Sequence, residues 1–183
     1  MPMRWPSPVF SVIENVNLSS ETAPFLVPNM FVNYNESSAV VAKARELAQG
    51  AANQGDVVRN IYQWVVDNIT YDHDKAAQLA SATGYVPDPD ATLASGTGIC
   101  FDYASLGAAM LRSLGIPCQV ITGYVSPDDV YHAWNMVYID GEWISVEISI
   151  KPNSWTRVDL TFAASGAAST IGDGTSYTDR YTY

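Results

Sequence analysis

Three kinds of side chain in this 183-residue sequence could act together in covalent chemistry: a cysteine, a histidine and a carboxylate. The cysteine is Cys100, which follows Gly96-Thr97-Gly98-Ile99. A helical pattern starts there and stops at Leu114-Gly115-Ile116-Pro117. Gly115 suits a left-handed C-terminal cap, and Pro117 blocks continuation. The start of a helix carries unpaired backbone N–H groups and a partial positive charge. Both favour a thiolate, the nucleophilic form of cysteine. The same N–H groups can receive the oxyanion of a tetrahedral acyl intermediate. Gly96 and Gly98 are expected to let a substrate backbone come close. Cys118 lies beyond the far end of the helix, where the dipole opposes a thiolate. About 15 residues of helix hold the two cysteines roughly 22 Å apart, whereas a disulfide needs Cα atoms within about 7 Å. Cys118 is therefore read as a buried strand residue.

A base must activate the thiol, and the sequence holds two histidines. His73, in Tyr71-Asp72-His73-Asp74, is flanked by acids and reads as a solvated loop residue. His132 opens the alternating stretch His132-Ala133-Trp134-Asn135-Met136-Val137-Tyr138-Ile139. A strand end beside a loop can hold a rigid side chain in a cleft. A cysteine–histidine pair also needs a group that orients the second imidazole nitrogen. Glu147 and Asp159 each follow a tryptophan, Trp143 and Trp155 respectively, by four positions. A hairpin turn at Asp140-Gly141 would bring the next strand back beside His132 and make Glu147 its diagonal neighbour. Asp159 belongs to the strand after that. Asp102 suits the dipole of the first helical turn and is read as structural. Tyr131 and Trp134 are candidates for the cleft walls. Asp72-His73-Asp74 and Asp88-Pro89-Asp90 offer too few oxygens for calcium, which takes about six to eight, so no metal or cofactor site is read.

The elements that must position these groups fall into two runs. Helices are predicted over 37–50, over 55–69 with Asp56 as N-cap, over 75–82, and from Cys100. The stretch 84–98, rich in Pro, Asp and Gly, reads as an extended loop. Strands are predicted over 118–126, 131–139, 142–150 and 154–162, with a further one at 177–183 whose tyrosines 177, 181 and 183 and Asp179 share a face. Helices first and a meander of strands after make the class α+β. Residues 1–36 read as an irregular lead-in and 37–183 as one domain.

Bulk properties narrow the partners. The formal net charge is −10 with nine Lys plus Arg, which argues against nucleic acid and anionic membranes. With 48% hydrophobic and 11% aromatic residues the chain has ample material for a core. It has no apolar run of the roughly 18 residues a membrane span needs. The segment Met1–Pro8 lacks the apolar core of a secretory leader, although a secreted parent's leader would lie outside this sequence. The acidic composition points toward the cell exterior.

Several ordered blocks carry a family resemblance: Gly98-Ile99-Cys100-Phe101-Asp102, Arg112-Ser113-Leu114-Gly115-Ile116-Pro117, Gly123-Tyr124-Val125, His132-Ala133-Trp134-Asn135, Trp155 to Thr161, and the upstream Trp64 to Asp72. Over roughly 38–183 the sequence resembles the transglutaminase-like superfamily, whose fold is related to that of the papain-like cysteine proteases, and within it a bacterial subgroup that is often secreted or held at the envelope. The resemblance implies helices packed on an antiparallel sheet and a Cys-His-Asp triad of Cys100, His132 and Asp159. Asp159 is preferred because Asp159-Leu160-Thr161-Phe162 matches the subgroup's Asp-x-Thr-Phe, whereas many other relatives place the acid where Glu147 stands. Met136 departs from the Glu often found there. The activity implied is acyl transfer from a protein or peptide substrate through a thioester, with hydrolysis slightly favoured over transamidation. The alternative is a non-catalytic module that binds peptide or cell-wall material. Oligomeric state is not legible.

Overall fold

The structure, a computed structural model, describes residues 20–80, 82, 84–125, 130–139, 154–158 and 177–183. Its helices are α1 (Ala39–Leu47), α2 (Gln54–Asn68), α3 (His73–Leu79), α4 (Pro89–Ser95) and α5 (Cys100–Ser113). Its strands are β1 (Thr70–Tyr71), β2 (Thr97–Gly98), β3 (Cys118–Val125), β4 (Val130–Ile139), β5 (Ser154–Val158) and β6 (Tyr177–Thr182). The class is α+β, with an antiparallel four-stranded sheet in the order β5-β4-β3-β6.

The helix starts follow their caps. Asn53, rather than Asp56, caps α2 by accepting from the Asp56 N–H at 2.9 Å. Asp72 accepts from the Lys75 N–H and begins α3, so the acidic stretch around His73 is helical instead of a loop. The expected loop at 84–98 contains α4. Asp88 caps it, Pro89 fills its first turn, and Gly96 ends it at φ +66, a start and stop of a familiar kind. Prolines, aspartates and glycines that look like a loop are here the punctuation of a short helix.

The sequence of α5 is hydrophobic or small nearly all round, as a fully surrounded helix requires. Asp102 through Arg112 are all buried. α1, α2 and α4 pack on it from one side and β3 and β4 from the other. Two polar side chains fix it in place. Asn135 of β4 donates at 3.0 Å to Ala104 O of α5 and at 3.0 Å to Gln119 O of β3. Arg112, buried near the C-terminal end of α5, donates to Cys118 O, Val27 O and Tyr183 O at 2.8–2.9 Å. Burial lowers the pKa of Arg112. Packing also reaches upstream of Ser37: Ala23–Leu26 forms a 3-10 turn and Val32 lies in the main core.

Two expectations about the sheet change. The neighbour of β4 on its outer side is β5, with Ile139 opposite Ser154 and Asn135 opposite Val158. A tight hairpin would set Ile139 opposite Glu142; Ser154 takes that place on the outer edge, and the strand predicted over 142–150 lies outside the described residues. In β6 the tail tyrosines do not keep one face throughout. Tyr181 pairs with Thr122 and Asp179 with Gly123, leaving Arg180 as an extra residue. Such a bulge shifts the alternation by one. Gly123 is required at this point, because a Cβ there would lie 2.0 Å from Thr178 O and 2.8 Å from the Trp134 ring.

Candidate active site

Cys100 is the first residue of α5 and is partly exposed. The segment before it is pinned by a short parallel ladder. Thr70 pairs with Thr97 and Tyr71 with Gly98, and the Asp72 N–H donates to Gly98 O at 2.9 Å. The two glycines serve the chain itself. Gly96 occupies a left-handed cap position, and a Cβ on Gly98 would lie 2.7 Å from the Asp102 Cβ. Gly98 is bare because Asp102 folds back onto it.

Asp102 is 0% exposed. Its carboxylate accepts from the Ile99 N–H at 2.8 Å, which closes the first turn of α5. It also accepts from Lys75 Nζ of α3 at 2.6 Å and from the Tyr85 hydroxyl. Burial lowers the pKa of Lys75, but its bonds to Asp102 and Tyr85 outweigh this and leave it raised. Burial raises Tyr85, and the Asp102 hydrogen bond adds to the rise. The structural role read for Asp102 agrees with these contacts. Its partners, at sequence separations of 27 and 17 residues, left no local signal.

A cleft of about 390 Å³ opens beside Cys100. Its walls come from α3 and the chain after it (Ala76, Leu79, Ala80, Tyr85), from β1 (Tyr71), from the start of α5 (Ile99, Cys100, Phe101), and from the sheet (Thr122, Tyr131, His132, Ala133), with Tyr183 completing it. His132 is 7% exposed. The Tyr131 hydroxyl donates to Thr122 Oγ1 at 2.8 Å. Tyr183 is held by aromatic contacts with Phe31 and Phe101. Burial raises the pKa of Tyr71, with the neighbouring Cys100 and Asp102 adding to it.

Cys100 and His132, which the sequence singled out, thus contribute to one cleft. Tyr131 walls it as expected. Trp134 does not: it is buried with Ile121 and Met136 in a second cluster. His73 is exposed on α3 against the Tyr71 ring. Cys118 opens β3, fully buried, and burial pushes its thiol up to about 12. Glu147 and Asp159 lie outside the described residues. The two Asp clusters weighed as cation sites have other duties, since Asp72 and Asp88 cap helices and Asp90 accepts from the Val40 N–H. Sequence reading missed Tyr71, Tyr85, Thr122 and Tyr183 as cleft walls, because each reaches the site only through the fold.

Known proteins resemble the chain in sequence and in fold. A family model described as the transglutaminase-like superfamily matches residues 41–148. Cytokinesis protein 3 of Schizosaccharomyces pombe is 33% identical over 120 residues, which cover 58% of this chain and 12% of that protein. The mouse Kyphoscoliosis peptidase is 31% identical over 112 residues, covering 56% of this chain and 16% of that protein. Among solved structures, a candidate cysteine protease from Cytophaga hutchinsonii superposes with a TM-score of 0.63 at 22% identity, covering 91% of this chain and 48% of that one. The chain therefore spans a minor part of the curated relatives' length and about half of the structural one.

Proposed function

Since the chain belongs to the transglutaminase-like superfamily, we propose that it is a cysteine-dependent acyl-transfer enzyme. The observation that carries this reading is that Cys100, at the start of α5, and His132, on β4, line one cleft. Cys100 attacks the carbonyl carbon of a peptide bond or a glutamine carboxamide, and His132 takes the thiol proton. The oxyanion that forms faces the first-turn N–H groups of α5. On collapse the nitrogen leaves with a proton from His132, and a thioester remains on Cys100. Water then resolves the thioester in hydrolysis, or an amine in transamidation. Hydrolysis is the preferred outcome, on a protein or peptide substrate that could include cell-envelope material.

Asp159 is proposed to orient His132. Support comes from the β4–β5 register, in which Asn135 faces Val158. Asp159 directly follows Val158, the end of the strand that flanks β4. The family-model match ends at residue 148 and so includes Glu147 and stops short of Asp159. Asp159 is preferred all the same, because Asp159-Leu160-Thr161-Phe162 matches the Asp-x-Thr-Phe of the subgroup the sequence resembles.

Hydroxylamine traps a protein thioester as a hydroxamate whichever acceptor is native, so it tests the reading directly. With casein and hydroxylamine the wild-type chain is expected to form hydroxamate, and Cys100→Ala and His132→Ala to form none. Equal hydroxamate from Cys100→Ala would overturn the assignment. No hydroxamate from any variant across a panel of protein substrates would favour a binding module.

A further inference from the structure

The buried cluster under Cys100 poses an electrostatic problem. Asp102 is 0% exposed and sits two residues from the proposed nucleophile in the same helical turn. A buried negative charge there opposes formation of a second one on Cys100. The fold nevertheless keeps it, because the carboxylate holds the Ile99 N–H at 2.8 Å and packs on Gly98. Lys75 reaches it at 2.6 Å from a different helix. Among the described residues, no other cation forms an ion pair with Asp102.

We propose that Lys75 is a positioning residue for the nucleophile: its ammonium balances the Asp102 carboxylate, so that Asp102 can shape the start of α5 without suppressing the Cys100 thiolate. The inference rests on the reading of Cys100 as nucleophile. Lys75 does not touch the reacting atoms, and it acts through Asp102. The contact also anchors α3, whose Ala76 and Leu79 wall the cleft, to the start of α5. The titratable groups around this corner are Tyr71 of β1, Tyr85, Tyr131 and His132 of β4, and Tyr183, with Lys75 bonded to Asp102, His73 against the Tyr71 ring and Asp74 in the first turn of α3. The charges of neighbouring helices are engaged elsewhere. Asp90 of α4 bonds the Val40 N–H, Asp72 and Asp88 cap their own helices, and Lys43 pairs with Glu46.

The test is the rate of Cys100 alkylation by iodoacetamide between about pH 5 and about pH 9, where the thiolate is the reacting species, followed by peptide mapping on the full chain. Lys75→Met is expected to slow alkylation about tenfold near neutrality and move its profile to higher pH, as an uncompensated neighbouring charge does. Lys75→Arg is expected to restore the wild-type profile. Asp102→Asn keeps the shape and removes the negative charge, so it is expected to move the profile the other way, toward lower pH. A purely architectural contact predicts no such opposition of sign. A wild-type profile for folded Lys75→Met, or a profile for Asp102→Asn shifted upward, would overturn the proposal. If Lys75→Met does not fold, the direction of the Asp102→Asn shift decides. Alkylation needs no substrate, so a negative hydroxamate assay leaves this result standing, and an unchanged profile in an enzyme that forms hydroxamate removes only the role of Lys75.

Discussion

Asn135 shows how a polar residue can be structural and close to the chemistry at once. Its amide joins the backbone of α5 to that of β3, and so sets the helix bearing Cys100 against the strand bearing His132. Replacing it with Ala leaves Ala104 O and Gln119 O without that donor, at a cost of about 1–3 kcal/mol. Urea denaturation of Asn135→Ala should give a lower midpoint with an unchanged slope. The two thiols differ in the same local terms. Cys100 should be alkylated in the native protein, and Cys118, fully buried with its thiol pushed up to about 12, only on unfolding. Rapid native labelling of Cys118 would contradict the packing of β3. For the orienting acid proposed, Asp159→Asn is expected to slow Cys100 acylation strongly, by less than the roughly four orders of magnitude seen in a serine triad. If Asp159 holds that role, Glu147→Gln is expected to leave the rate within about threefold. Single-turnover acylation kinetics distinguish the two.

At the scale of elements, β6 is the strand most exposed to a single change. Gly123 lets it approach β3, and the bulge at Arg180 lets it continue to Tyr183. Gly123→Ala forces a Cβ toward the Thr178 carbonyl, so β6 must shift or detach. The expected cost is about 1–3 kcal/mol, the range for overpacking. Hydrogen exchange should show faster amides at 177–182, and native-like protection there would refute the steric argument. Because Tyr183 walls the cleft, the same variant should also widen the site. Much of this level was legible beforehand. The periodicity of 37–50, 55–69 and 118–139 marked α1, α2, β3 and β4 near their observed bounds. α4 was missed, since its caps are made of the residues that elsewhere make loops. The bulge was missed because nothing in Tyr177–Tyr183 signals an extra residue; only pairing with β3 reveals it.

At the scale of the whole molecule, two buried groups predict sensitivity to alkali. Tyr103 is raised to about 12 from 10.0 by burial, with Tyr71 adding to it, and Cys118 is raised to about 12 from 9.0 by burial. Both groups are neutral when protonated and keep their protons longer in the folded state than in the unfolded one. Stability from them is therefore complete below the unfolded value and is lost as pH rises through the folded value. The melting temperature should fall from about pH 9 upward. Cys118→Ala should delay that fall, as should Tyr103→Phe, although the latter removes a 2.7 Å bond to Ile69 O. A fall of equal onset in wild type and Cys118→Ala would exclude the cysteine as its source. Arg112 ties three distant segments to α5. Arg112→Met should lower stability by about 3–5 kcal/mol through three lost charge-assisted hydrogen bonds.

Sequence alone indicated the family, the candidate residues and much of the frame. A cysteine at a helix start and a histidine opening a strand can be read locally, since helix dipoles and side-chain alternation act over a few residues. It also ranked the blocks well enough to indicate the family. The tertiary structure decided which neighbours those groups have. Asp102 and Lys75 are separated by 27 positions, Tyr183 comes from the far end of the sequence to the cleft wall, and β4 pairs over Asn135–Ile139 with β5. These are long-range choices made by packing and strand order, which depend on every element at once, and no local pattern of residues encodes them.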